Sequence, residues 1–80
     1  MRILYHHHAR ERMLKRGITE DEVRDVLTTF DTTLPADLDR TKYIKHIDKS
    51  ESVTVVAVIR KISDTHFVVY TVFRERGNHG

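Results

Sequence analysis

The chain has 80 residues, a length that makes one domain spanning 1–80. It contains no cysteine, which excludes disulfide staples, thiolate metal sites and cysteine nucleophiles. Fourteen Lys and Arg against twelve Asp and Glu leave a formal charge of +2, too small a total to define a partner by itself.

The distribution of charge says more. Residues 1–16 carry five cations (Arg2, Arg10, Arg12, Lys15 and Arg16) against one Glu11, and residues 20–25 then carry four acids against Arg24. A basic segment on a near-neutral domain suits an anionic partner such as RNA, with Arg10, Lys15 and Arg16 as candidate contacts. On the charge pattern alone, a solvated helix face is the more ordinary reading of the same residues. The apolar run Val53 to Ile59 is far too short to span a bilayer, and the N-terminus lacks the apolar run of a signal peptide. A soluble, cytoplasmic protein without membrane association is expected.

In chain order, Arg2 to His6 reads as a short strand, with Ile3 and Tyr5 on one face. A helix follows from His7 or His8 to Arg16, with Ala9 and Met13 sharing a face and Lys15 and Arg16 suiting the negative end of the helix dipole. Gly17 is the natural residue for a left-handed helix end. The second helix starts at once. Thr19 is its N-cap, Glu22 completes a capping box, and Ile18 and Val23 make a hydrophobic staple. Val23, Val26, Leu27 and Phe30 form the stripe expected to be buried. The acidic start Glu20, Asp21, Glu22 would repel phosphate, which argues against a DNA-reading helix-turn-helix.

Residues 31–39 hold the only proline and read as a loop. Three strands are then expected: Arg40 to Ile47, Ser52 to Arg60 and His66 to Arg74. The middle one is rich in β-branched residues and reads as a central strand covered on both sides. Asp48 to Glu51 and Lys61 to Thr65 are the expected hairpin turns, and Glu75 to Gly80 an expected frayed tail. The order strand, two helices, three strands predicts an α+β domain: a helical hairpin on one face of a three-stranded antiparallel sheet.

Alternation along the last strand sets His66, Val68, Tyr70, Val72 and Arg74 on one face, and Phe67, Val69, Thr71 and Phe73 on the other. The second set is more apolar and is expected to meet the helices. The first set offers a histidine that titrates near neutrality and an arginine fork for phosphate, which together can bind an anion and move a proton. An ordinary half-solvated sheet face accounts for the same residues. On the first helix His8 and Arg12 share a face with Lys15 a further step along, so His8 has its protonated form disfavoured and suits a base. Alternatively His8 packs near the helix start and Arg12 pairs with an acid. Six histidines raise the question of a metal. Adjacent His6, His7 and His8 do not share a helix face, and no HExxH spacing occurs, so neither metal nor cofactor is expected.

The residues His8-Ala9, Arg12-Met13, Arg16-Gly17-Ile18, Thr19 to Val26 and Val68 to Phe73 resemble the small prokaryotic DUF4258 family. The resemblance covers most of the chain, with the middle loop and the Arg40 to Ile47 strand alike only in general character. The helix pair is also similar to that of the BrnT toxins, which group with the RelE/ParE-like toxins. The resemblance implies a toxin-like α+β domain of a toxin–antitoxin pair, a metal-independent ribonuclease partnered by an antitoxin protein and acting on RNA, in some such toxins at the ribosome. It places His8 and Arg12 on motif positions as catalytic residues; His66, Tyr70 and Arg74 join them by strand parity. The expected free form is a monomer or weak dimer. The alternative is a non-catalytic protein-binding or regulatory module of the same fold.

Overall fold

The computed structural model describes residues 1–48 and 53–76. The order is β1 (Arg2–Tyr5), α1 (His7–Arg16), α2 (Glu20–Thr29), β2 (Thr32–Pro35), β3 (Thr41–Asp48), β4 (Val53–Ser63) and β5 (His66–Arg76). The strands form one mixed sheet in the order β1-β5-β4-β3-β2. β1 runs parallel to β5, and the other pairs are antiparallel. No helix among the described residues is long and apolar enough to cross a membrane.

The helical corner forms as its local sequence dictates. Gly17 takes φ 65°, its N–H donating to Leu14 O, while Ile18 N–H reaches Met13 O at 2.9 Å. This pair of bonds satisfies the last carbonyls of α1, and the buried Met13 and Ile18 close over it. Thr19 Oγ1 then accepts from Glu22 N at 3.2 Å and caps α2. Glu22 does not return the bond as a capping box would. Both its carboxylate oxygens accept from Arg74 Nη2 on β5, at 2.9 and 2.8 Å.

The core lies between the helices and one face of the sheet. Ala9, Met13, Ile18, Val23, Val26 and Leu27 come from the helical side, and Tyr43, Val55, Ala57, Ile59, Phe67, Val69 and Val72 from the sheet. Each of the larger fully buried side chains contributes roughly 1.5–3 kcal/mol. Phe30, expected in the buried stripe, is instead exposed at the end of α2 and meets Tyr43 edge-on.

The sheet departs from expectation in four places. Thr32–Pro35, inside the expected loop, is an edge strand paired with Ile44 to Thr41. All four of its residues are exposed, so it lacks the apolar alternation that marks a strand. The expected three-stranded antiparallel sheet is therefore five-stranded and mixed. β4 and β5 run on to Ser63 and Arg76, which shrinks the expected Lys61 to Thr65 turn to Asp64 and Thr65 and puts Glu75 and Arg76 in strand. The rest of the expected tail and the Lys49 to Glu51 part of the expected turn lie outside the described residues. β4 is central, but the helices cover only one of its faces; on the open face Val56 is buried in register between Ile44 and Phe73.

The fourth departure matters most. Val58 pairs with Thr71 but Ile59 pairs with Val69, so Tyr70 is the extra residue of a β-bulge. Parity therefore reverses there. Phe67 and Val69 face the helices, and so do Val72 and Arg74; Thr71 and Phe73 turn to the open face. The expected common face of Tyr70, Val72 and Arg74 does not exist, because one inserted residue flips every side chain beyond it.

Candidate functional site

The ends of β1, α1 and β3 enclose a cleft of about 310 Å³ on the open face of the sheet, lined by His6, His8, Arg12, Arg40, Val58, Tyr70 and Thr71. Among the described residues, no carboxylate lines it. The cleft exists because β1 stops at Tyr5 while β5 continues. His6 N–H still extends the ladder to Val69 O at 2.9 Å, after which the chain turns into α1. The helix runs beside the uncovered part of β5, and its side chains reach the strand: Arg16 Nη1 donates to Val72 O at 2.8 Å and Arg12 Nη1 to Thr71 Oγ1 at 3.2 Å.

Each lining group is held from a different direction. Arg40 precedes β3, delivered by a turn in which Leu38 and Asp39 both have positive φ (59° and 60°) and Arg40 N–H donates to Asp37 O. Its Cζ sits 3.7 Å above the centroid of the Tyr70 ring, a close cation–π contact. The bulge that makes Tyr70 the unpaired residue of β5 also brings its ring to 5.8 Å from that of His6. His6 is the N-cap of α1, its Nδ1 accepting from His8 N at 3.3 Å. Loss of solvent around His6, followed by the neighbouring His7, His8 and Arg40, holds its imidazole below the usual histidine range and favours the neutral base. His8 is exposed, with Glu11 Oε2 4.0 Å from its Nδ1.

Of the residues expected from sequence, the structure brings His8, Arg12 and Tyr70 to this cleft. It does not bring His66 or Arg74. His66 lies four residues before Tyr70, roughly 13 Å along the strand, opposite Arg2 in β1, with its Nε2 buried and unpartnered. Arg74 is on the helix face, donating to Arg16 O and Gly17 O besides Glu22. Among the expected RNA contacts, Arg16 is tied to the β5 backbone. Arg10 lies 5.0 Å over the Tyr5 ring and 3.9 Å from Glu20. Lys15 is exposed on α1 outside the cleft. Sequence reasoning missed His6, Arg40 and Thr71. The parity reversal hid Thr71, Arg40 sat at the margin of an expected loop, and His6 was counted as the end of a strand.

The histidine run also behaves differently from expectation. One donor nitrogen each from His6, His7 and His8 lies within 4.8 Å of the others. The rings converge because His6 is still extended when His7 and His8 enter the helix, so the alternation of a strand and the rotation of a helix do not separate them.

A cleft with two arginines, two histidines and a tyrosine, and no acid in its wall, can hold a singly or doubly charged oxyanion and exchange protons with it. A family described as "Domain of unknown function (DUF4258)" matches residues 5–74, and the chain belongs to that family. No curated protein and no solved structure matches the chain.

Proposed function

We propose that this DUF4258 domain is a metal-independent RNA endonuclease, the toxin of a toxin–antitoxin pair, acting by acid–base catalysis in the cleft. The observation that carries the reading is the convergence of His6, His8, Arg12, Arg40 and Tyr70 on one concave surface without a carboxylate. The choice of RNA and of an antitoxin partner rests on the sequence resemblance of the helix pair to the BrnT toxins.

In this mechanism the scissile phosphate lies between Arg12 and Arg40. Both guanidiniums are oriented before substrate arrives, one by Thr71 Oγ1 and the other by the Tyr70 ring. Such preorganised charge is most effective where negative charge builds up, here on the equatorial phosphoryl oxygens. Neutral His6, giving up the long bond that its Nδ1 accepts from His8 N, accepts the proton of the ribose 2′-hydroxyl, the 2′-oxygen attacks phosphorus, and the bond to the 5′-oxygen breaks. His8, whose Nδ1 lies 4.0 Å from Glu11 Oε2, returns a proton to that leaving oxygen. The products are a 2′,3′-cyclic phosphate and a 5′-hydroxyl, and proton transfer of this kind contributes about 10²–10⁴ in rate.

The test is cleavage of single-stranded RNA by the purified chain in chelator, with product ends analysed. His8→Ala, Arg12→Ala and Arg40→Ala should each lose at least about a hundredfold in rate while melting like the parent. An oligonucleotide with deoxyribose at the cut position should stay intact. Expression of the chain should arrest growth, and co-expression of its cognate antitoxin should relieve the arrest. Parent protein that leaves RNA whole, or variants that cut like the parent, overturn the reading. A second reading, a non-catalytic protein-binding module, is favoured by the exposed edge strand β2 with Leu34 half-exposed on it. That reading expects partner capture, intact RNA and unaffected growth.

A further inference from the structure

We propose that His6, His7 and His8 bind one divalent late transition-metal ion of the zinc class, and that the bound ion shuts the cleft; the second half rests on the ribonuclease reading above. The three imidazoles form one triangular cluster, with ring centroids 4.3 Å apart for His6–His7, 4.1 Å for His7–His8 and 5.2 Å for His6–His8. Their donor nitrogens fall within 4.8 Å of one another. Three imidazole nitrogens on a tetrahedral zinc lie about 3.3 Å apart, given Zn–N bonds of about 2.0–2.1 Å. Closing from 4.8 Å needs small side-chain rotations. His7 and His8 are exposed and free to make them, and His6 is fixed by its backbone bond to Val69 O.

The donor set is chemically specific. Neutral imidazole prefers Zn²⁺, Cu²⁺ and Ni²⁺ to Mg²⁺ or Ca²⁺, and three ligands leave one coordination position for water. His6 carries one lone pair when neutral, and it now accepts from His8 N at 3.3 Å. The ion takes the ring at the expense of that long bond. Arg12, Arg40 and the N-terminal end of α1 oppose the cation, and Glu11 favours it. The site is therefore weaker than a closed structural zinc centre, which suits reversible occupancy. His6 and His8 both line the cleft and His7 does not. Metal binding removes two proton-carrying groups from the cleft and adds positive charge and bulk at its mouth.

The experiment uses the full chain without an added affinity tag, titrated with Zn²⁺ by calorimetry and by competition against a chromogenic chelator. The parent should bind one ion per chain. His7→Ala should weaken binding at least tenfold while cutting RNA in chelator as the parent does, and His46→Ala should bind like the parent. Mg²⁺ should not compete. No saturable Zn²⁺ binding, or His7→Ala binding as tightly as the parent, overturns the site. RNA cleavage at saturating Zn²⁺ should be suppressed in the parent and restored by excess chelator. Undiminished or faster cleavage with the site filled overturns the gating. Should the parent cut no RNA even in chelator, the ribonuclease reading and the gating fail together, and the metal titration still decides the site.

Discussion

Replacing Arg74 separates two roles that its sequence position left mixed. Its guanidinium contacts both Glu22 oxygens through Nη2, Arg16 O through Nη1 at 2.9 Å and Gly17 O at 3.2 Å. One side chain on β5 thus bolts the end of α1, the corner and the start of α2 to the sheet. Hydrogen bonds to charged groups contribute about 1.5–3 kcal/mol each when well buried. Here the Arg74 and Glu22 side chains are 39% and 34% exposed, so solvent screens the pair and the contributions do not add in full. Arg74→Ala should therefore cost about 2 kcal/mol in total. In a domain of this size that lowers Tm by about 8–16 °C. Circular dichroism melts of Arg74→Ala, Glu22→Ala and the double variant measure it. The double variant should melt close to the worse single one, because removing either partner ends the shared interaction. RNA cleavage by Arg74→Ala, assayed well below its Tm, should stay within a few-fold of the parent. A variant that melts within about 2 °C of the parent and loses cleavage would refute the reasoning and return Arg74 to the active site.

Two further outcomes test the cleft's construction. His6 is the neutral N-cap of α1 with its pKa depressed, so protons bind the unfolded chain more readily than the folded one; stability is complete above the unfolded histidine pKa, near 6.5, and is lost as pH falls through the lower folded value. A pH series of melts should show this fall in the parent and a flatter line in His6→Asn, which keeps a capping oxygen without titrating; equal slopes would remove His6 as the source. Leu38 is 77% exposed and held at φ 59°, so Leu38→Asn gives up little packing and should gain about 0.5–1 kcal/mol in urea unfolding; no gain would mean that the turn is unstrained.

The α1–α2 corner was legible because its determinants are local. Gly17, Thr19 and the Ile18–Val23 pair act within a few residues of one another, and backbone sterics and cap bonds need no distant partner. His8 and Arg12 were legible for the same reason, as neighbours one helical turn apart. The family resemblance was carried largely by that stretch. β2 was not legible, since an exposed edge strand holding Pro35 has no periodic signal and exists only through its hydrogen bonds to β3.

The cleft itself was decided by tertiary structure. The amino-acid sequence by itself determined two helices, the β-rich second half and a basic first helix, all of which follow from periodicity, capping and charge. The parallel docking of β1 on β5 decided where the histidine run would turn. The bulge at Tyr70 decided that Thr71 faces Arg12 and that Arg74 faces Glu22. Neither event is written in a local pattern. A strand's side-chain alternation is rigid at period two, so a single unpaired residue, set by the register between β4 and β5, reassigns every side chain beyond it.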